Sequence, residues 1–148
     1  MQVCGNWFQQ VTAAQQQIPK ILIFNTTGDR DSKKLLTILR SFASFDLVCF
    51  VPNISSAESS NSHDTTSILH TQVEQLKRCQ MHSSNWQQLC LENDENNTAQ
   101  VFPSIMQSFQ HIRQRYDKNQ ELNILVTGSI HLIGATILSL NELCRELA

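Results

Sequence analysis

Charged residues are scarce in this sequence. Asp, Glu, Lys and Arg make up 16% of its 148 residues, and the formal net charge at pH 7 is -2. Basic residues are scattered, apart from short pairs such as Lys33-Lys34. Because no basic patch is present, there is no electrostatic basis for binding nucleic acid or an anionic membrane surface. We therefore expect neither kind of partner.

Metal-binding and disulfide patterns are missing as well. The five cysteines are an odd number and include no C-x-x-C pair, so we expect reduced thiols in a cytosolic or organelle-matrix protein. The histidines form no metal-ligand spacing with the cysteines, and no metal site is expected. No segment approaches the ~18 consecutive apolar residues of a membrane span, and residues 1–17 lack the features of a signal peptide.

The motif G-x-x-x-x-G-K-[ST] is also absent. A protein that uses ATP through a phosphate-cradling loop of that kind requires this motif. No serine lies in G-x-S-x-G either. The chain therefore shows neither a phosphate loop nor a nucleophilic serine of those two types.

Apolar strands alternate with amphipathic helices along the chain, which indicates an α/β fold. We expect a mostly parallel sheet with helices on both faces, joined by right-handed crossovers. A length of 148 residues suits a single domain, with polar loops at about 53–66 and 91–99. In the first helix, Trp7, Phe8 and Val11 are the predicted core contacts. The predicted strands are 20–24, 47–51, 100–102 and 122–127, and the predicted helices are 2–16, 33–41, 67–88, 104–116 and 130–145.

Two strand-to-helix junctions organise the rest of the chain. The first follows Phe24 and reads N-T-T-G-D-R-D before a helix from about Ser32, its expected N-cap. The second is Thr127-Gly128-Ser129, which leads into the last helix. Backbone N–H groups and the helix dipole converge where strand carboxyl ends meet helix amino ends. We therefore expect both junctions to line one edge of the sheet and to hold the functional residues.

Gly128, Ser129 and His131 are the candidate binding residues of the second junction. Gly128 lets the backbone turn tightly and approach a ligand. Two roles stay open for Ser129: its hydroxyl caps the last helix, or it contacts a carboxylate or phosphate. Two also stay open for His131, which is either a packed or solvated histidine or a polar contact to substrate.

Asp29, Arg30 and Asp31 are the candidates of the first junction. Either aspartate is suited to cap the following helix, and Arg30 has the bidentate geometry that suits a bound phosphate or carboxylate. Asn25 and the two threonines after it add hydrogen-bonding groups. No other residue completes an acid–base mechanism for the two carboxylates.

Three segments together resemble the C-terminal domain of animal folylpolyglutamate synthases, in the Mur ligase family. They are F-N-T-T-G-D-R-D at Phe24–Asp31, F-D-L-V-C-F-V-P-N at Phe45–Asn53 and L-V-T-G-S-I-H-L-I-G at Leu125–Gly134. The resemblance covers nearly the whole chain and implies a three-layer, Rossmann-like α/β domain.

The resemblance also implies an activity. Members of this family are ATP-dependent amide ligases that add L-glutamate to the γ-carboxyl of folates through an acyl phosphate, which retains folates in the cytoplasm or mitochondrion. ATP and Mg²⁺ are bound mainly by an N-terminal ATPase domain, and the C-terminal domain positions glutamate. Carried over by position, Ser129 and His131 match the glutamate subsite, with Gly128 beside them. Asp29, Arg30 and Asp31 match a charged segment that contacts nucleotide or substrate.

The sequence departs from that family in what it lacks. The family's D-G-A-H segment is expected immediately before the first helix, and the phosphate loop and magnesium ligands are also absent. We therefore expect an N-terminally truncated fragment, monomeric and inactive alone, that binds neither ATP nor Mg²⁺ by itself. The alternatives are a non-catalytic module that binds a small anion or a protein, and an unrelated domain that shares only the architecture.

Overall fold

The computed structural model describes residues 1–55 and 65–146, with the backbone alone for residues 65–70 and 146. Helices and strands alternate along these residues, as the sequence predicts. The helices are α1 (Gln2–Thr12), α2 (Ser32–Arg40), α3 (Thr65–Glu92), α4 (Ile105–Arg115) and α5 (Ile130–Glu146). The strands are β1 (Lys20–Phe24), β2 (Leu47–Phe50), β3 (Ala99–Val101) and β4 (Asn123–Thr127).

The four strands form one parallel sheet in the order β3-β2-β1-β4. From β1 the chain moves outward through β2 to β3, then crosses back to place β4 on the other side of β1. The helices that follow these two strands lie on opposite faces of the sheet, α2 on one and α5 on the other. Between the carboxyl ends of β1 and β4 lies the topological switch point, the position at which open α/β sheets bind ligands.

Helices cover both faces of the sheet. Leu22, Phe24, Val48 and Phe50 pack on one face with residues from α1, α2 and α3. The alternate strand residues, among them Ile21 and Cys49, pack on the other face with α4 and α5. This burial on both faces explains the continuous apolar character of β1 and β2. The predicted three-layer α/β fold is confirmed.

The first helix differs from its prediction. It ends at Thr12 rather than near residue 16, and its buried residues are Gly5, Phe8 and Thr12. Trp7 and Val11 were predicted to be core contacts, but both are at least half exposed. The helix rests on the sheet through the Phe8 side, so the prediction for Phe8 is correct and the other two are wrong.

The polar connections are described only in part. Most of the predicted loop at 53–66 falls on residues 56–64, which lie outside the described residues. The second polar connection runs from residue 93 to 98, because α3 extends to Glu92. Within the described residues, no helix has the length and apolarity needed to cross a membrane.

Candidate functional site at the switch point

The two strand-to-helix junctions lie side by side. β1 and β4 are parallel neighbours, and Phe24 at the end of β1 is paired in register with Thr127 at the end of β4. The loop Asn25–Asp31 and the turn Gly128–Ser129 therefore emerge at the same edge of the sheet, as predicted. We call them the β1 corner and the β4 corner.

Gly128 is required by the contact between the corners. Its φ of 111° is positive, and a Cβ built on it would overlap the backbone carbonyl oxygen of Asn25. The backbone that comes close to Gly128 is thus that of the β1 corner. Gly28 also has a positive φ, of 71°, but a Cβ there would meet no atom within 4 Å.

Arg30 connects the two corners directly. Its Nη1 donates a hydrogen bond of 3.2 Å to the carbonyl oxygen of Gly128. The side chain is exposed, so the guanidinium charge stands at the edge of the sheet beside the amino end of α5. Both the guanidinium and a helix amino end attract anions.

A cavity of about 480 Å³ opens between the corners. Arg30, Gly128, Ser129 and His131 all line it, and His131 is exposed. The structure thus brings together four of the six candidate residues. Asp29 and Asp31 are exposed and do not line the cavity. The remaining lining residues are Met1, Cys4, Thr27, Thr127, Ile130 and Ile133.

Asp31 has a structural role in α2. It is the N-cap, and its carboxylate accepts a 3.0 Å hydrogen bond from the backbone N–H of Lys34. The expectation that Ser32 caps this helix is wrong, because Ser32 is its first residue. The buried hydroxyl of Ser32 instead accepts a 3.0 Å bond from Asn85 Nδ2.

Ser129 precedes α5 but does not cap it with its side chain. Its backbone oxygen accepts a bond of 3.2 Å from the N–H of Ile133. Its residue exposure is 7%, and its Oγ is buried without a hydrogen-bond partner among the described residues. The hydroxyl therefore does not cap α5, and its role in glutamate binding stays a prediction.

The first part of the β1 corner is buried rather than open. Asn25 and Thr26 are fully or almost fully buried, and only Thr27 reaches the cavity. Asn25 Nδ2 donates to Asn53 Oδ1 at 3.3 Å, which ties the ends of β1 and β2 together. Of the three residues expected to add hydrogen-bonding groups here, only Thr27 lines the cavity, and its contact with a ligand stays a prediction.

His82 lies beneath the β1 corner and was not identified from the sequence. It is fully buried in α3, with its ring 5.4 Å from that of Phe24 and 5.9 Å from that of Phe50. Burial, and then the charge of Arg78, lower its pKa from 6.5 to about 4, while the nearby backbone of Thr26 acts in the opposite direction. His82 is therefore neutral at physiological pH and part of the core.

Met1 and Cys4 are cavity residues that the sequence reasoning missed. Cys4 Sγ lies 3.5 Å from Thr127 Oγ1, and Met1 Sδ lies 3.8 Å from the same oxygen. They form the wall that α1 contributes. The only sequence signal was their helical spacing, which brings both to the side of α1 next to Phe8.

The site has the chemistry of a binding site. It combines one guanidinium, one imidazole and the amino end of a helix, groups that suit a carboxylate or phosphate. In the described part of the chain, no group of three or more His, Cys, Asp or Glu residues is placed to hold a metal ion. Cys49 is buried in β2, and burial raises the pKa of its thiol to about 12, so it behaves as a small apolar residue.

Comparison with known proteins identifies the relatives of the chain. Folylpolyglutamate synthase of Saccharomyces cerevisiae (strain RM11-1a) is 32% identical over 143 residues, which cover 93% of this chain and 25% of the yeast protein. The chain belongs to the folylpolyglutamate synthase family. The mitochondrial folylpolyglutamate synthase of Bos taurus is 25% identical over 195 residues, covering 93% of this chain and 33% of the bovine protein. The mitochondrial folylpolyglutamate synthase of Homo sapiens is 32% identical over 93 residues, which cover 60% of this chain and 16% of the human protein.

The chain spans at most one third of these curated folylpolyglutamate synthases. This coverage is consistent with the predicted correspondence to one domain, the C-terminal domain, of a longer enzyme. No family model matches the chain, and no solved structure matches it.

Proposed function

We propose that this chain is the glutamate-positioning domain of a folylpolyglutamate synthase, an enzyme that extends folates with L-glutamate. The observation that carries the proposal is the cavity between the two corners. It lies at the switch point of the sheet and is lined by Arg30, Ser129 and His131. The names of the relatives support the same substrate class.

In this proposal the cavity binds glutamate through its carboxylates. The guanidinium of Arg30 and the amino end of α5 provide positive potential at one side of the cavity. His131, in the first turn of α5, adds a ring N–H donor, and Ser129 adds a hydroxyl after rotation of its side chain. Gly128 holds the two corners at contact distance. Asp31 acts by capping α2, and Asp29 is assigned to a contact with nucleotide or with a second part of the substrate.

ATP supplies the phosphoryl group that activates the folate carboxyl, and Mg²⁺ accompanies it. The 148 residues contain no G-x-x-x-x-G-K-[ST] loop. We therefore assign both ATP and Mg²⁺ to the N-terminal ATPase domain of the complete enzyme. The chain on its own is proposed to be inactive. The complete enzyme is proposed to work in the cytoplasm, the mitochondrion or both, since the bovine and human relatives are named mitochondrial.

A hybrid enzyme tests the glutamate assignment. This chain replaces the aligned region of the yeast folylpolyglutamate synthase, and steady-state rates are measured against glutamate and against ATP. We expect Arg30→Met and His131→Ala each to raise the KM for glutamate about tenfold, because each removes one charge-assisted hydrogen bond to the substrate. The KM for ATP should stay unchanged. Arg113→Met, an exposed cation on α4, is the control. An unchanged KM for glutamate in both site variants contradicts the proposal.

A second function is a non-catalytic module that binds a small anion. The geometry of the site favours this function, because the site presents groups that bind anions. Among the described residues, no nucleophile there is hydrogen-bonded to a general base. Calorimetric titration of the chain with glutamate, phosphate and ATP separates the two functions. Heat with glutamate supports the first function, whereas heat with phosphate alone supports the second.

A further inference from the structure

α3 contacts the β1 corner at both ends of that loop. Near its start, the ring of His82 lies 5.4 Å from that of Phe24 and beside the backbone of Thr26. Directly after its end, Asn85 Nδ2 donates a 3.0 Å hydrogen bond to Ser32 Oγ. His82 and Asn85 are three residues apart in α3 and therefore share one side of the helix. The same side of α3 thus holds both ends of the corner.

The residues between these two contacts include the two from this corner that reach the cavity. Thr27 and Arg30 line it, and Arg30 also donates a hydrogen bond to the carbonyl oxygen of Gly128. Thr27 follows Thr26 directly, and Arg30 lies four residues beyond Thr26. Because each residue adds only two soft backbone torsions, a shift of Thr26 relative to α3 moves Thr27 and changes where Arg30 reaches.

Stability alone does not explain the histidine at position 82. Of the residues whose burial the structure describes, it is the only Asp, Glu, His, Lys or Arg that is buried. It packs against the rings of Phe24 and Phe50, and neither of its ring nitrogens has a hydrogen-bond partner. A buried polar group without a partner lowers stability, so an apolar residue of similar size would be more stable there. Departures of this kind are expected at functional sites.

Thr26 has the polar groups that His82 lacks as partners. A neutral imidazole has one N–H donor and one acceptor nitrogen, and threonine has a carbonyl and a hydroxyl. The Thr26 hydroxyl is also buried without a partner. Although burial lowers the pKa of His82, the backbone of Thr26 raises it, which is the effect of a carbonyl oxygen beside an imidazole N–H. Their contact falls outside hydrogen-bond geometry, as polar contacts beside a binding site often do before a ligand binds.

We propose that His82 is a positioning residue for the cavity between the corners. Through Thr26 it holds the β1 corner where Thr27 and Arg30 reach the ligand, while Asn85 holds the other end of the corner. His82 does not touch the ligand itself. This inference rests on the proposed glutamate site, because His82 acts on the ligand through Arg30.

Steady-state kinetics of the hybrid enzyme test this role. We expect His82→Leu to raise the KM for glutamate about fivefold and to change kcat and the KM for ATP by less than about twofold, because a misplaced Arg30 weakens glutamate binding alone. His82→Gln keeps an N–H donor and should bring the KM for glutamate back to within about twofold of the unmodified value. Cys79→Ala, at a buried position of α3 one turn before His82, is the control and should leave this KM unchanged.

A double variant shows whether His82 acts through Arg30. In the Arg30→Met background, His82→Leu should raise the KM for glutamate less than about twofold, because the cation that His82 positions is gone. An equal rise in both backgrounds, or an equal rise for Cys79→Ala, overturns the inference. An unchanged KM in His82→Leu also overturns it, and the proposed glutamate site still stands if Arg30→Met alone raises that KM. If Arg30→Met and His131→Ala leave the KM unchanged, the proposed function fails and this inference fails with it.

Discussion

The two corners have the same construction but treat their helix amino ends differently. At the β1 corner, the carboxylate of Asp31 bonds to the N–H of Lys34 and closes the amino end of α2. At the β4 corner, Ser129 occupies the equivalent position, yet its hydroxyl makes no hydrogen bond with any described residue. One helix amino end has a side-chain cap, and the other has none from Ser129.

If the β4 corner binds the ligand proposed above, the two junctions divide stability and binding between them. A cap side chain contributes stability but occupies the N–H groups that an anion would use. At the β4 corner those groups border the cavity, with Arg30 supplied from the neighbouring corner. The comparison therefore predicts that substitutions at the β1 corner change stability, whereas those at the β4 corner, Gly128 excepted, change binding.

Gly128→Ala should have the largest effect. The added Cβ overlaps the carbonyl oxygen of Asn25, and the φ of 111° is unfavourable for alanine. The Cβ is held in place by the backbone of residue 128, and the oxygen belongs to the backbone of Asn25, so relief requires separation of the two corners. We expect a loss of about 3 kcal/mol or more in the free energy of unfolding, measured by urea denaturation.

Two other glycines serve as controls for that substitution. Gly28→Ala meets no atom within 4 Å but keeps a positive φ, so it should cost only about 1 kcal/mol. Gly134→Ala lies in α5 with open space around its Cβ and should be stabilising by up to about 1 kcal/mol. Equal losses for Gly128→Ala and Gly28→Ala would show that contact between the corners is unimportant.

The buried His82 beneath the β1 corner should make the free energy of unfolding depend on pH. The pKa of His82 is lowered to about 4 in the fold and is near 6.5 in the unfolded chain. The unfolded chain therefore takes up the proton first as the pH falls. The stability linked to His82 is complete above pH 6.5 and is lost between pH 6.5 and 4, by about 3 kcal/mol.

The variant His82→Leu isolates this contribution from the titration of carboxylates. Leucine fills the apolar space between Phe24 and Phe50 but does not titrate. Urea denaturation at several pH values should show a smaller loss of stability between pH 7 and 4 for the variant than for the unmodified chain. Identical pH profiles would mean that His82 does not stay neutral in the fold.

Most of the fold was predictable because the strands have strong local signals. The apolar run Lys20–Phe24 and the segment ending at Thr127 could be read directly, and both strands end where predicted. Their placement at one edge followed from the rule that parallel strands share their direction. The resemblance in the three segments led to the right family.

Other features depend on tertiary contacts that a sequence does not display. Trp7 and Phe8 are adjacent in a helix with apolar residues on more than one side, and only packing decides that Phe8 is inside. The cap of α2 could be Asp31 or Ser32 by residue type. The close approach of Asn25 to Gly128 joins residues about one hundred positions apart in sequence, and no local pattern indicates it.

The two cap positions give the finest test of the comparison. Asp31→Ala removes the bond to Lys34 and should cost about 1 kcal/mol of stability. Ser129→Ala removes a hydroxyl that has no partner among the described residues, so its unfolding free energy should change by less than about 0.5 kcal/mol. Urea denaturation of the two variants measures both values. A loss at Ser129 as large as that at Asp31 would mean that the serine caps α5 in solution, and the contrast between a closed and an open helix end would no longer hold.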